Sequence, residues 1–167
     1  VTTPFRIELL NKEHNRAGFS CGVDVLNVYL REQARQDMQR RAASCYVAVD
    51  ACTSAIAGYY TISASGIPLT DLPETLIKKL PRYPSVPVAL LGRLAVDVGF
   101  QGKKIGAALL GNAVQRALAS DIAVAALVVN AKDEQARSFY HHYDFLDFGS
   151  LPNQLILHFS AYRNAYV

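Results

Sequence analysis

Two stretches of this chain, Val88 to Asp97 and Ala123 to Asn130, read as strands too apolar to offer either face to water. Each is followed by a helical pattern. Ile105, Leu109, Ala113 and Leu118 line one side of Lys104 to Ala119, and Asp133 to Tyr143 opens on an Asp-Glu pair that suits the positive end of a helix dipole. Strands buried on both faces need helices on both faces, so the second half predicts a mixed α/β sheet covered on both sides. Two further strands, Phe145 to Phe148 and Leu155 to Phe159, close the pattern.

The first half adds antiparallel elements. Arg6 to Leu10 predicts a short strand, and Leu26, Tyr29, Leu30, Ala34 and Met38 recur at helical spacing through Val23 to Arg40. Cys45 to Val49 and Ile56 to Ala64, joined by small residues, predict a hairpin. Pro73 suits the first turn of a short helix inside a loop-like run from Pro68 to Pro87 that also holds Pro81 and Pro84. With 167 residues, no repeat and no polar linker, the expectation is one domain over residues 1–167. No apolar run reaches the roughly 20 residues of a membrane span, and Val1 to Glu13 lacks a secretory signal pattern, so a cytoplasmic protein is expected. Cys21, Cys45 and Cys52 are odd in number and lack CxxC spacing, so buried thiols are expected rather than disulfides or a metal site. A net charge of +3 is compatible with an acidic ligand but selects none.

The chemistry concentrates where the first apolar strand ends. Leu94-Ala95-Val96-Asp97 leads through Val98-Gly99-Phe100 into Gln101-Gly102-Lys103-Lys104-Ile105-Gly106-Ala107, a two-glycine turn opening a helix. Amides at such a helix start point outward with the positive dipole end and can hold a pyrophosphate without side-chain charge; Lys103 and Lys104 add to the field. The plainer alternative is that Gly102 and Gly106 serve only turning and packing. One strand-helix unit later, Asn130-Ala131-Lys132-Asp133 leaves the second apolar strand and Ser138-Phe139-Tyr140 lies near the end of the next helix. Ligands in open α/β sheets lodge at the carboxyl ends of strands, which directs both segments toward one edge.

These segments, the Gln-x-x-Lys-x-Gly-Ala turn and the Ala-x-x-Phe-Tyr ending, resemble the acetyl-CoA motifs of the GNAT superfamily. Phe19-Ser-Cys-Gly22, Ala57-Gly-Tyr-Tyr-Thr-Ile62, Tyr83-Pro-Ser-Val-Pro-Val88 and Leu91-Gly-Arg-Leu-Ala-Val-Asp97 narrow the resemblance to GNAT toxins of toxin–antitoxin pairs, over about Phe5 to Phe159. The resemblance implies a mixed, mostly antiparallel twisted sheet with helices on both faces, splayed between its fourth and fifth strands. It implies transfer of acetyl from acetyl-CoA to the α-amine of aminoacyl-tRNA, with a ribbon-helix-helix antitoxin and a homodimer as partners and no metal. The cofactor would meet Leu94, Ala95, Val96, Gln101, Gly102, Lys103, Lys104, Ile105, Gly106, Ala107, Asn130, Ser138 and Tyr140. The Val96 amide would stabilise the oxyanion, and Tyr140, a phenol with an ordinary pKa near 10, would protonate the departing thiolate. Arg93, Arg35, Lys78 and Arg82 would meet tRNA, Arg93 being the sharpest because it interrupts an apolar strand and is expected in the substrate groove or a dimer seam. Arg31, Arg40, Arg41 and Lys79 could extend that track.

Two departures from the family pattern leave alternatives open. Lys104 stands where the loop usually has glycine, and would either crowd the phosphates or swing outward and pair with one. Asp144 stands where glycine usually precedes the final Phe, and would either adopt a left-handed conformation or shift the turn. The rival readings are an acetyltransferase for a small amine or protein N-terminus, and a binding module whose cofactor affinity Lys104 has weakened.

Overall fold

The structure, a computed structural model, describes residues 4–80, 82–149 and 151–162; Pro81 lies outside them. Among the described residues the sheet has seven strands, in the order β1-β2-β3-β4-β5-β7-β6. They are β1 (Phe5–Leu9), β2 (Ser44–Asp50), β3 (Ile56–Pro68), β4 (Ser85–Val96), β5 (Ala126–Asn130), β6 (Leu146–Asp147) and β7 (Gln154–His158). The helices are α1 (Asp24–Val28), α2 (Ala34–Gln39), α3 (Glu74–Ile77), α4 (Ile105–Leu118) and α5 (Glu134–His142). By its internal contacts the chain divides into two compact units, one holding the chain up to Ser63 with Gly92–Ala113, the other Ala64–Leu91 with the chain from Val114 onward.

In the first unit β1 pairs antiparallel with β2 from Phe5↔Asp50 to Leu9↔Tyr46, and β2 with β3 from Ser44↔Ile62 to Val49↔Ile56, with an irregularity at Ala48/Val49. Leu30, Ala34, Val47, Val49, Tyr59 and Phe19 form its buried core. The predicted first helix is interrupted: a π-helical turn, Tyr29–Gln33, separates α1 from α2, and the Ala34 amide reaches back to the Tyr29 carbonyl. In a regular α-helix eight residues turn through about 800°, roughly 80° off a shared face. The wider π turn absorbs one residue. Asp37 therefore comes under Tyr29, whose hydroxyl donates to its carboxylate at 2.6 Å.

In the second unit β4 and β5 run parallel through Ala89↔Leu127, Leu90↔Val128 and Leu91↔Val129. β5 pairs antiparallel with β7 from Ala126↔His158 to Asn130↔Gln154, and β7 with the two residues of β6. Val86, Val88, Ala126, Val128, Phe148, Ile156, Leu72 and Leu76 make its core. Pro73 caps α3 from outside, one residue before the position expected of it.

Among the described residues no helix is long and apolar enough to cross a membrane. All three cysteines are free, but only Cys21 and Cys45 are buried. Cys52 is exposed, correcting the expectation for that residue: it sits in the turn between β2 and β3, where the Asp50 carboxylate accepts its amide.

Candidate active site

β4 ends at Val96, and Asp97 turns the chain. Its Oδ1 accepts from the Gly99 amide at 2.8 Å and its Oδ2 from the Ser20 amide at 2.9 Å. The Asp97 amide donates to the Ala57 carbonyl and the Val98 amide to the Ser20 carbonyl, each at 2.8 Å. The 3-10 turn Val98–Phe100 is thereby tied to β3 and to the segment before α1. Ala95 is buried, Leu94 and Val96 half-buried, and the Val96 carbonyl accepts a long hydrogen bond, 3.5 Å, from the Gln101 side chain.

Gln101, Gly102, Lys103 and Lys104 are all exposed, whereas Ile105 is buried and anchors the start of the 14-residue α4. Gly102 has φ +81°, and nothing lies within 4 Å of where its Cβ would be. The first-turn amides, those of Ile105, Gly106 and Ala107 among them, have no carbonyl of their own helix to bond. An exposed turn at Gln101–Lys104 with the helix dipole behind it fits a pyrophosphate. Lys103 holds its ammonium 5.4 Å from the centre of the Phe100 ring, which in turn meets Phe5 edge-on.

Lys104 has φ +62°, so the backbone makes the left-handed turn a glycine would make, with the long side chain exposed. A left-handed L-residue costs about 1–2 kcal/mol, and glycine's extra unfolded-state freedom about 0.4–1 kcal/mol, so the first effect wins. Lys104→Gly is expected to raise stability by about 0.5–1 kcal/mol in urea unfolding, with Lys104→Ala giving no such gain because it keeps Cβ.

In the other unit, Asn130 is exposed at the end of β5, and the Ala131 amide donates to the Asn153 carbonyl at 2.8 Å. Asp133 caps α5 by accepting from the Ala136 amide at 2.8 Å. Ser138 is exposed. Tyr140 is 6% exposed and packs against Phe139 and Phe145 at ring distances of 5.3 and 5.4 Å. Burial pushes its phenol well above the ordinary tyrosine range. Its carbonyl accepts from the amides of Tyr143 and Phe145 at 3.0 and 3.1 Å, a C-terminal cap that requires the chain to turn left-handed between them. Asp144 does so, with φ +71°.

Sequence reasoning missed what ties α5 to β6. Arg137 bonds Asp147 at 2.6 Å and also the Pro152 carbonyl, and His141 meets Asp147 at 3.1 Å. Charged residues at helical spacing look alike whether solvated or paired, so only Asp147 lying in a strand could have hinted at this. His142 is exposed.

Of the residues assigned to tRNA, Lys78 and Arg82 are exposed and Arg35 half-buried. Arg31, Arg40, Arg41 and Lys79 are exposed as well. Arg93 is half-buried, its guanidinium 3.5 Å from the centre of the Tyr29 ring. Among the described residues no cluster of three His, Cys, Asp or Glu could hold a metal.

A mixed sheet of this order, with an exposed turn leading from β4 into α4, fits the class of acyl-CoA-dependent acyltransferases. Residues 76–154 match the family model described as the acetyltransferase (GNAT) domain. A tRNA-acetylating toxin of Mycobacterium tuberculosis (strain ATCC 25618 / H37Rv) is 35% identical over 130 residues, covering 76% of this chain and 75% of that one. AtaT complexed with acetyl-methionyl-tRNAfMet superposes with a TM-score of 0.88 at 26% identity, over 98% of this chain and 99% of that one. AtaTR bound with acetyl-CoA gives a TM-score of 0.83 at 25% identity, over 98% and 99%. A tyrosine-to-phenylalanine mutant of the AtaT toxin, bound to the C-terminus of the antitoxin AtaR, shares the fold at 22% identity and a TM-score of 0.82, over 99% of each chain. The chain belongs to the GNAT acetyltransferase family and is similar to the tRNA-acetylating toxins within it.

Proposed function

We propose that this chain transfers acetyl from acetyl-CoA to the α-amino group of an amino acid esterified to tRNA and so blocks translation. The observation that carries the reading is the 35% identity to a tRNA-acetylating toxin across three quarters of both chains. The exposed turn Gln101–Lys104, which leads into α4, supports it, and so does the position of Tyr140 near the end of α5.

In this reading residues 1–167 act as one domain. The amides of Gln101 to Ala107 hold the pyrophosphate, with Lys103 and Lys104 supplying charge. Leu94, Ala95 and Val96 present backbone to the pantetheine arm, and Asn130 and Ser138 flank it. The acceptor amine attacks the thioester carbonyl, the Val96 amide stabilises the oxyanion, and the carbon–sulfur bond breaks as Tyr140 gives its proton to the sulfur. The new amide nitrogen gives up a proton to water, and Tyr140 takes one back from water, which restores the phenol. An amine beside an ester is less basic than a lysine, so no dedicated base is required. Arg35, Lys78 and Arg82 meet RNA phosphates. The protein works in the cytoplasm as a homodimer and is restrained by a ribbon-helix-helix antitoxin.

The test is mass spectrometry of tRNA-bound amino acids after brief expression: N-acetylated aminoacyl-tRNA is expected. Acetylated polyamines or protein N-termini in its place would replace the acceptor, and acetyl-CoA affinity no better than millimolar would remove the enzyme. The pH profile carries a second expectation. Because the phenol pKa is raised, Tyr140 remains a proton donor throughout the range below about pH 10, so kcat/KM should show no alkaline limb there. A fall near pH 8 that Tyr140→Phe abolishes would contradict this.

A further inference from the structure

Tyr140 is held by its ring and not by its hydroxyl. The ring packs against Phe139 and Phe145, and the phenol oxygen has no hydrogen-bond partner among the described residues. No buried oxygen there lacks a partner, so within this 6% exposed residue it is the hydroxyl that reaches the surface. Where that oxygen stands is therefore decided by how α5 is seated.

The start of α5 is anchored by Asp133, which accepts from the Ala136 amide at 2.8 Å. Further along, one carboxylate holds the helix at two points. Asp147 Oδ2 accepts from Arg137 at 2.6 Å, and Asp147 Oδ1 lies 3.1 Å from His141 Nε2. Arg137 also donates to the Pro152 carbonyl, ahead of β7. Asp147 itself stands in β6 opposite Leu155 of β7, which is fully buried. A continuous set of contacts thus runs from a buried strand through Asp147 to two successive turns of α5.

Arg137 and His141 are four residues apart, on one face and about 6 Å apart along the axis. Two holds so placed resist both rolling and sliding, where one would act as a pivot. Tyr140 lies roughly 60° round the helix from Arg137 and 100° from His141. Its hydroxyl stands well outside the Cα radius of about 2.3 Å, so a small roll becomes a large displacement at the oxygen. A misplacement of about 1 Å can cost about 10²-fold in rate. The side chains of Arg137, His141 and Asp147 are 22%, 40% and 52% exposed, and pairs exposed to this degree contribute little to stability. Their larger effect is on geometry.

We infer that Asp147 is a positioning residue for acetyl transfer: through Arg137 and His141 it sets the seat of α5 and so the place of the Tyr140 hydroxyl. The inference rests on the proposed role of Tyr140 as proton donor.

The test is acetyl transfer by the full chain from labelled acetyl-CoA to bulk aminoacyl-tRNA, with acetyl-CoA affinity measured by calorimetry and Tm by thermal unfolding. Asp147→Ala is expected to lower kcat about 10- to 100-fold, to change the Kd for acetyl-CoA less than about twofold and to lower Tm by no more than about 4 °C. Arg137→Ala should slow kcat likewise, and combining the two should add less than about twofold, since both act through one contact. In the Tyr140→Phe background Asp147→Ala should leave the residual kcat within about twofold, because the group it places is gone; a general packing role would slow both backgrounds alike. If Asp147→Ala does not fold, Asp147→Asn, which keeps the shape and loses the charge, carries the same comparison. A parent-like kcat in the Asp147 variant, equal losses in the two backgrounds, or a loss shared with acetyl-CoA binding overturns the inference. Tyr140→Phe at the parent's rate would remove the proposed proton donor and this inference with it; a slow Tyr140→Phe beside a parent-like Asp147→Ala removes this inference alone. Should the unaltered protein acetylate spermidine and not aminoacyl-tRNA, the proposed acceptor alone fails, and the same comparison is read on spermidine.

Discussion

Replacing Tyr140 by phenylalanine is expected to lower kcat by about 10²- to 10⁴-fold, the usual worth of a positioned general acid, with acetyl-CoA affinity nearly intact and growth arrest relieved. The size follows from what the change removes. The ring packs between Phe139 and Phe145, and phenylalanine fills the same volume, so the fold and the cap at its carbonyl should persist. Only the hydroxyl goes, and with it the proton proposed for the departing thiolate. Single-turnover kinetics beside calorimetry with acetyl-CoA separates chemistry from binding. A kcat within threefold of the parent would sink the assignment, and an equal loss of acetyl-CoA binding would turn it into a packing role.

The second large effect is expected of Gly58→Ala, on stability. Gly58 sits opposite Ala48 in the β2–β3 pairing, and a Cβ there would lie 2.8 Å from the Ala95 carbonyl oxygen, 2.8 Å from Leu109 Cδ1 and 3.3 Å from Ile105 Cγ2. A leucine methyl can rotate away, but the backbone of β4 cannot do so without moving the end of that strand. Overpacking of this kind typically costs about 1–3 kcal/mol, and a backbone contact places the site at the upper end. The elements pushed apart, the end of β4 and the start of α4, are the two that bracket the turn Gln101–Lys104, proposed to hold the phosphates. Urea unfolding should show a loss of about 2–3 kcal/mol together with weaker acetyl-CoA binding. Stability within about 0.5 kcal/mol of the parent would mean that the close approach is not obligatory.

The alternation of strand and helix in the second half was legible because apolar runs such as Leu127 to Val129 admit few other placements. Strand ends were less so. Phe145 to Phe148 reads as one strand, yet only Leu146–Asp147 pairs, because the Phe145 amide is drawn back to the Tyr140 carbonyl. That β7 enters the sheet between β5 and β6 depends on tertiary pairing that periodicity does not encode. The π turn was hidden for a related reason: Leu26, Tyr29, Leu30, Ala34 and Met38 fit a helical repeat to within one residue, and one residue is all the turn inserts. At Lys104 and Asp144 the resemblance located the anomaly but left the conformation open; both residues are left-handed. The partners of Arg93, Arg137 and His141 were beyond reach, since a charge in a sequence carries no record of what it faces.

The placement of β7 decides which strand is left at the border of the sheet among the described residues. It leaves β6, two residues long, as the last strand on that side, and the one acidic side chain of that strand is occupied by Arg137 and His141. A long row of open amides invites a foreign strand to add on; a stub this short, with charge beside it, gives such a strand almost nothing to grip. Among the described residues, that border therefore offers little for a ladder of backbone bonds to grow on.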